Sequence, residues 1–330
     1  MKFFIYFFSF LIFTNSFAQK TLFEQGLDAF QKGNYDQAVS FYTLQLKKTK
    51  RPNIYFNRAS ANFELQKYEE AIEDLTIVID KEQNDTEAIY KRASAYFHLG
   101  HFQKTIIETK KLLRLDSKDD KAFNLQGLSF FELKKYGNAI ENFTNAINIK
   151  EIAQYIFNRA TAYNKLDLTK KAETDFDKAI ETNSNNTFVI GRGKYFYNKQ
   201  QYDLAINDFS KAISVDSLNS TNIFNRALAY YSSAQYNKAI KDFEKVVEIQ
   251  DNDIEAKWFL AKSNYQNKNY EETLKYYLSV ESQDKNFPRL QELDKNELTN
   301  KIALGNYFWY IVILLILLLL MFYFLRKLFH

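Results

Sequence analysis

Aromatic residues return along this chain at a fixed interval. Tyr35, Tyr68, Phe102, Tyr136, Tyr202, Tyr236 and Tyr270 stand about 34 residues apart, or a multiple of that. Three residues after each comes a small or short side chain: Ala38, Ala71, Thr105, Ala139, Ala205, Ala239 and Thr273. A period of this length belongs to arrays in which each unit has an apolar face that only its neighbours can cover. The chain is therefore not to be divided into ordinary globular domains by its length. It reads as one continuous stack, and stacks of this kind bind partners far more often than they catalyse.

Each unit reads as two helices. In residues 221–250, Ile223, Ala227 and Tyr230 recur at helical spacing, a polar break follows at Ser232 to Gln235, and Tyr236, Ala239, Ile240, Phe243, Val246, Val247 and Ile249 form a second stripe. Asp251-Asn252-Asp253 then offers capping oxygens to the next helix. Ala227 and Ala239 let the two backbones approach, and Tyr230 and Phe243 fill the space beside them. With only eight glycines and two prolines, the chain has few residues that would break such helices.

This pattern resembles the tetratricopeptide repeat, a helix-turn-helix unit of about 34 residues. The family's small residue of the first helix corresponds to Gly26, Ala59, Ala93, Gly127, Ala160, Gly193, Ala227 and Ala261. Its later aromatic corresponds to Tyr42, Phe143, Phe176, Phe209, Phe243 and Tyr277, with Leu75 and Thr109 departing. The fifth repeat departs again, with Thr169 where an aromatic should open the second helix. The resemblance implies an all-α fold, a right-handed α-solenoid of about eight repeats over residues 19–287. It also implies a scaffold that takes a peptide or protein partner in a groove. The Lys/Asn/Arg set with which some members of the family clamp a C-terminal carboxylate is not complete in this chain.

The repeats can also be compared with one another. Five carry an arginine just before the small residue: Arg58, Arg92, Arg159, Arg192 and Arg226. Sixteen residues later stand Asp74, Glu108, Asp175, Asp208 and Asp242. The other three repeats have Gln25, Gln126 and Leu260, and their partner positions hold Phe41, Asn142 and Tyr276, none acidic. Arginine and acid occur together or not at all. Such pairing points to a bidentate bridge between the two helices of a repeat. The other reading is an arginine row for an acidic ligand. An exposed bridge contributes about 0.2–1 kcal/mol.

A further series sits on the first helices. Phe23, Phe56, Tyr90, Phe157, Phe224 and Trp258 precede the small residue by three positions, and Phe30, Phe63, Phe97, Phe131, Tyr197, Tyr231 and Tyr265 follow it by four. The two rows are seven apart and share one helical face. In proteins this chain resembles, the first helices line a concave groove. These rings either line such a groove, with Phe56, Tyr90, Phe97, Phe157, Phe224, Tyr231 and Trp258 as anchors for a partner, or extend the core.

The two ends address a membrane. Residues 1–18 have a basic start at Lys2, an apolar run from Phe3 to Phe13 and small residues at Ser16 and Ala18, the pattern of a cleavable signal peptide. Residues 307–325 are uncharged and strongly apolar, long enough to span about 28 Å as a helix. Tyr307, Trp309, Tyr310 and Tyr323 flank the stretch as interfacial anchors do, and Arg326 and Lys327 favour the cytoplasmic side for the tail, residues 326–330. Residues 288–306 read as a helix capping the last repeat. The expected topology is single-pass, with the repeats exported. The residue usage suggests a bacterium, hence a periplasmic array on the inner membrane. A scaffold is the leading expectation, and a sensor or accessory subunit of a membrane signalling or envelope stress complex is the alternative.

The remaining chemistry is sparse. Cysteine is absent, so disulfides, thiolate catalysis and Cys-based zinc sites are excluded. Without Lys2, Arg326 and Lys327 the chain has 41 basic against 40 acidic residues, a poor balance for nucleic acid. His98 and His101 lie three apart without an evident third ligand. No nucleophile elbow or phosphate loop occurs. The expectation is a non-enzyme without metal or cofactor.

Overall fold

The computed structural model describes residues 20–328, so the leader expected over residues 1–18 lies outside the described residues. The chain gathers into two compact units divided between Lys178 and Ala179. In the first, α1 (Leu22–Gln31) packs on α2 (Tyr35–Lys48), α3 (Pro52–Glu64) on α4 (Tyr68–Lys81), α5 (Thr86–His98) on α6 (Phe102–Leu115), and α7 (Asp120–Glu132) on α8 (Tyr136–Ile149). Each pair also packs on the next, and α9 (Ala153–Lys165) follows α8. α10 (Thr169–Thr182) carries the chain across the division. In the second unit, α11 (Asn186–Asn198) packs on α12 (Tyr202–Val215), α13 (Ser220–Ser232) on α14 (Tyr236–Ile249), and α15 (Ile254–Gln266) on α16 (Tyr270–Gln283). Among the described residues there are helices and no strands: a solenoid of the tetratricopeptide type.

Local chemistry sets the boundaries. Asp85, Asp119 and Asp253 each cap the helix they precede, accepting from the backbone N–H of Ala88 at 3.0 Å, Ala122 at 2.9 Å and Ala256 at 2.9 Å. The turn inside each repeat is fixed by one residue in the left-handed region: Gly33, Gln66, Gly100, Lys134, Asp167, Gln200, Ala234 and Lys268. That residue lets the next N–H reach back into the helix, as Lys135 N does to Phe130 O and Gln235 N to Tyr230 O, both at 2.8 Å. Glycine occupies this position in only two repeats, although every other side chain there works against the left-handed conformation.

The small residues of the first helices are spacers for large rings. A Cβ on Gly127 would lie 2.7 Å from the Phe143 ring, and one on Gly193 would lie 2.9 Å from Phe209. Tyr42, Phe143, Phe209 and Phe243 are fully buried against these spacers. Burial of one such side chain contributes about 1.5–3 kcal/mol.

The second unit closes differently. After a short 3-10 turn, Leu290–Glu292, a single helix α17 runs from Lys295 to Leu328. Leu290, Leu293 and Leu298 bury themselves with Phe287, Tyr277 and Val280 around Trp258, sealing the last repeat. Farther on, Leu304, Ile311, Ile313 and the leucines from 314 to 320 are exposed. The stretch Lys295–Leu320 is long and apolar enough to cross a membrane, and none of its most apolar window is buried in the protein. Residues 295–306 of the segment read as a cap and residues 307–325, read separately in the sequence, are thus joined in one helix. Gly305 is a weak breaker inside a helix and does not interrupt it.

Candidate functional site

Each of the five arginines meets its acid. Arg58 Nε and Nη2 donate to the two carboxylate oxygens of Asp74 at 2.7 and 2.8 Å. Arg159 reaches Asp175 at 2.7 and 3.0 Å, Arg192 reaches Asp208 at 2.8 Å through both arms, and Arg226 reaches Asp242 at 2.7 and 2.8 Å. Arg92 differs. It donates to Glu108 through Nη2 alone at 2.8 Å, leaving Arg92 Nε and Glu108 Oε2 buried and unpartnered among the described residues. The extra methylene of glutamate carries the carboxylate out of the two-armed position.

These bridges are not surface pairs. Asp208 is 1% exposed and Asp74 3%. The bond to Asp74 raises the Arg58 guanidinium above its ordinary value, and the bond to Asp242 does the same for Arg226. The small contribution expected of an exposed bridge does not describe them, because removing one partner strands a buried charge. The remaining arm of the fork also has a use. Nη1 of Arg58, Arg92, Arg159 and Arg226 donates to Thr43, Thr76, Thr144 and Ser210 of the preceding second helix, at 3.1–3.2 Å. Each of these arginines ties three helices. The hydroxyls stand 15 or 16 residues before their arginines, a signal present in the sequence but divided between two residue types and two offsets.

The aromatic rows occupy an intermediate position. Phe56, Tyr90, Phe97, Phe157, Phe224 and Tyr231 are all half-buried. Several lean an edge on a second-helix ring, with centroids 5.5 Å apart for Phe97–Phe102, 5.2 Å for Phe157–Phe176 and 5.5 Å for Phe224–Phe243. Each of these rings keeps part of its surface exposed. Trp258 is the exception and must be removed from the candidate anchors. It has no exposed surface, because the terminal segment with Phe287 and Leu298 packs over it.

Open hollows lie beside these rings. In the first unit, Pro52, Asn53, Phe56 and Val78 line one of about 180 Å³ with Glu82, Asp85 and Glu87. In the second unit, Tyr197, Phe224, Leu228 and Phe259 line one of about 450 Å³, and Tyr197 and Leu228 are shared with a neighbour of about 220 Å³ that includes Lys194, Asn198 and Asn225. The Nδ2 of Asn225 is buried without a hydrogen-bond partner among the described residues. Phe259 and Arg289 belong to this face although neither sequence row contained them. Arg289 lies 5.4 Å from the Phe259 ring centroid and pairs with Glu255 at 2.6 Å. The face suits side chains with an apolar body and a polar tip.

His98, weighed in the sequence as half of a metal pair, is exposed and stacks on Tyr68 at 4.9 Å. Among the described residues no group of three or more potential ligands gathers around a metal position.

Comparisons with known proteins agree with this geometry. Tetratricopeptide-repeat family models match residues 23–75 and 153–186, and a model of anaphase-promoting complex, cyclosome, subunit 3 matches residues 198–280. Human RNA polymerase II-associated protein 3 is 26% identical over 60% of this chain, which covers 27% of that protein. The chain spans about a quarter or less of the curated relatives heading the comparison. Among solved structures, PilW, a type IV pilus biogenesis factor, aligns with a TM-score of 0.54 at 16% identity, covering 63% of this chain and 98% of that one. The APC/C hetero-tetramer Cut9-Hcn1 aligns with a TM-score of 0.51 at 14% identity, covering 82% and 54%. The likeness to these structures is one of fold. The repeat spacing, the helix pairs and the family matches together support the tetratricopeptide-repeat family for this chain, whose members serve as protein-interaction scaffolds.

Proposed function

We propose that this protein is a membrane-tethered scaffold that holds a peptide or protein partner on the first-helix face of its repeats. The observation that carries the reading is the series of half-buried rings beside open hollows, at Phe56 in the first unit and at Tyr197, Phe224 and Phe259 in the second. Half-buried rings held by their neighbours present large contact area at little entropic cost, as interface anchors do. The exposed leucines of α17 serve as the anchor, with the repeats on the exported side, in the periplasm of a bacterium.

A photoreactive residue placed at Phe56 or Phe224 in native membranes is expected to crosslink one discrete partner. The same residue on the second-helix surface, at Lys47 or Lys241, is expected to give none. Equal crosslinking from both faces would refute the assignment. For topology, protease added to spheroplasts is expected to digest the repeats, and an intact array would place it on the other side.

A further inference from the structure

A separate hollow of about 340 Å³ lies where the last repeat meets α17. It is lined by Lys268 and Asn269 from the turn of the last repeat, by Tyr270, Glu271 and Glu272 from the start of α16, and by Lys301, Ile302 and Gly305 from α17. Its depth is set by the chain. Helical rise places Gly305 about 3 Å and Lys301 about 9 Å before Tyr307, where the apolar stretch opens. The polar headgroup layer on each side of a bilayer is about 5–7 Å thick. When α17 spans a membrane, the Gly305 end of this hollow therefore lies within the headgroup layer and its Lys301 end just outside it, beside a helix whose outer face is already apolar.

Its lining carries both signs of charge. Glu272 is paired with Lys275 at 2.8 Å and Lys301 with Glu297 at 2.7 Å, whereas Lys268 and Glu271 have no ion pair among the described residues. One free ammonium and one free carboxylate thus face a shared hollow. Gly305 keeps the opposite wall open, since a Cβ there would meet nothing within 4 Å.

We propose that this hollow is a site for a phospholipid with a zwitterionic, primary-amine headgroup, of the phosphatidylethanolamine class. Lys268 meets the phosphate and Glu271 accepts hydrogen bonds from the ammonium. A choline headgroup has the same charges but no N–H to donate, so it keeps only the attraction of its charge and loses the hydrogen bonds to Glu271, and a glycerol headgroup has no cation at all. The proposal rests on the membrane-anchor reading above.

The test uses the full chain, incubated with vesicles of equal parts dioleoyl phosphatidylethanolamine, phosphatidylcholine and phosphatidylglycerol. The protein is recovered in mild detergent and its retained lipid identified by native mass spectrometry. The wild type is expected to retain the ethanolamine lipid about tenfold over the other two. Glu271→Leu is expected to abolish the preference over choline, and Gly305→Leu to reduce retention of every lipid by filling the hollow without changing charge. Equal retention of the three lipids by the wild type, an unchanged preference in the Glu271 variant, or unchanged retention in Gly305→Leu would overturn the site while leaving the anchor intact. A chain that does not enter the vesicles at all would remove the anchor reading and the site with it.

Discussion

At the scale of single residues, the arginine bridges set the stability of each repeat they occupy. Arg226 and Asp242 meet through two bonds at 2.7 and 2.8 Å, and the carboxylate is 9% exposed. Asp242→Ala is expected to cost about 3 kcal/mol, because the arginine left behind keeps a single hydrogen bond, to the Ser210 hydroxyl, and its contact with the Tyr230 ring. A double-mutant cycle with Arg226→Met should then return a coupling of about 1–3 kcal/mol. A value near zero in urea unfolding would show that the bridge is decorative. Glu108→Asp runs in the opposite direction. It should restore the two-armed geometry of the other four repeats, pair Arg92 Nε, and raise stability by about 1 kcal/mol. These partners could be read from the chain because the copies vary together. Burial of the acids could not, since sixteen residues of separation says that two side chains meet and not what covers them.

At the scale of helices, a second pairing recurs. The ring four residues after the small residue packs on the ring that opens the second helix: Phe30–Tyr35 at 5.2 Å, Phe63–Tyr68 at 5.2 Å, Phe131–Tyr136 at 5.3 Å, Tyr231–Tyr236 at 5.7 Å and Tyr265–Tyr270 at 5.9 Å. The fifth repeat has Asn164 and Thr169 at these positions, so both rings are lost together. The double substitution Asn164→Phe with Thr169→Tyr is expected to stabilise the protein by about 0.5–1.5 kcal/mol, with neither single change achieving half of that. Thermal unfolding of the four variants measures it. The period exposed Thr169 as irregular, while the linked loss at Asn164 needed the paired geometry. Trp258 shows where periodic reasoning ends. Its row is half-buried in other repeats because a regular neighbour follows, but beyond the last repeat comes a segment with no repeat, and that segment covers it.

At the scale of the whole molecule, burial has shifted many phenols in one direction. Tyr42 is pushed up to about 12 by its burial, and Tyr90, Tyr231, Tyr276 and Tyr277 are raised for the same reason. A phenol whose folded value exceeds its unfolded value of about 10 favours folding below that pH and loses the contribution as pH rises through the folded value. Stability should therefore be level up to about pH 10 and fall between pH 10 and 12, followed by ultraviolet absorbance of the phenolates together with helical circular dichroism. Loss of helix well below pH 10 would assign the transition to other groups. Fold class was legible across the repeats because each copy restates it. That the cap and the apolar stretch share one helix was not, because the junction occurs once.

That junction also fixes a mechanical relation. α17 is one unbroken rod about 50 Å long, pinned at its first turns by Leu298 against the Trp258 cluster and bearing its exposed leucines farther along. There is no swivel between the two attachments. If α17 spans a bilayer as proposed, any tilt of the rod would be handed to the last repeat as a lever hands on a rotation, and bilayer thickness would become a setting for the angle at which that repeat stands off the surface.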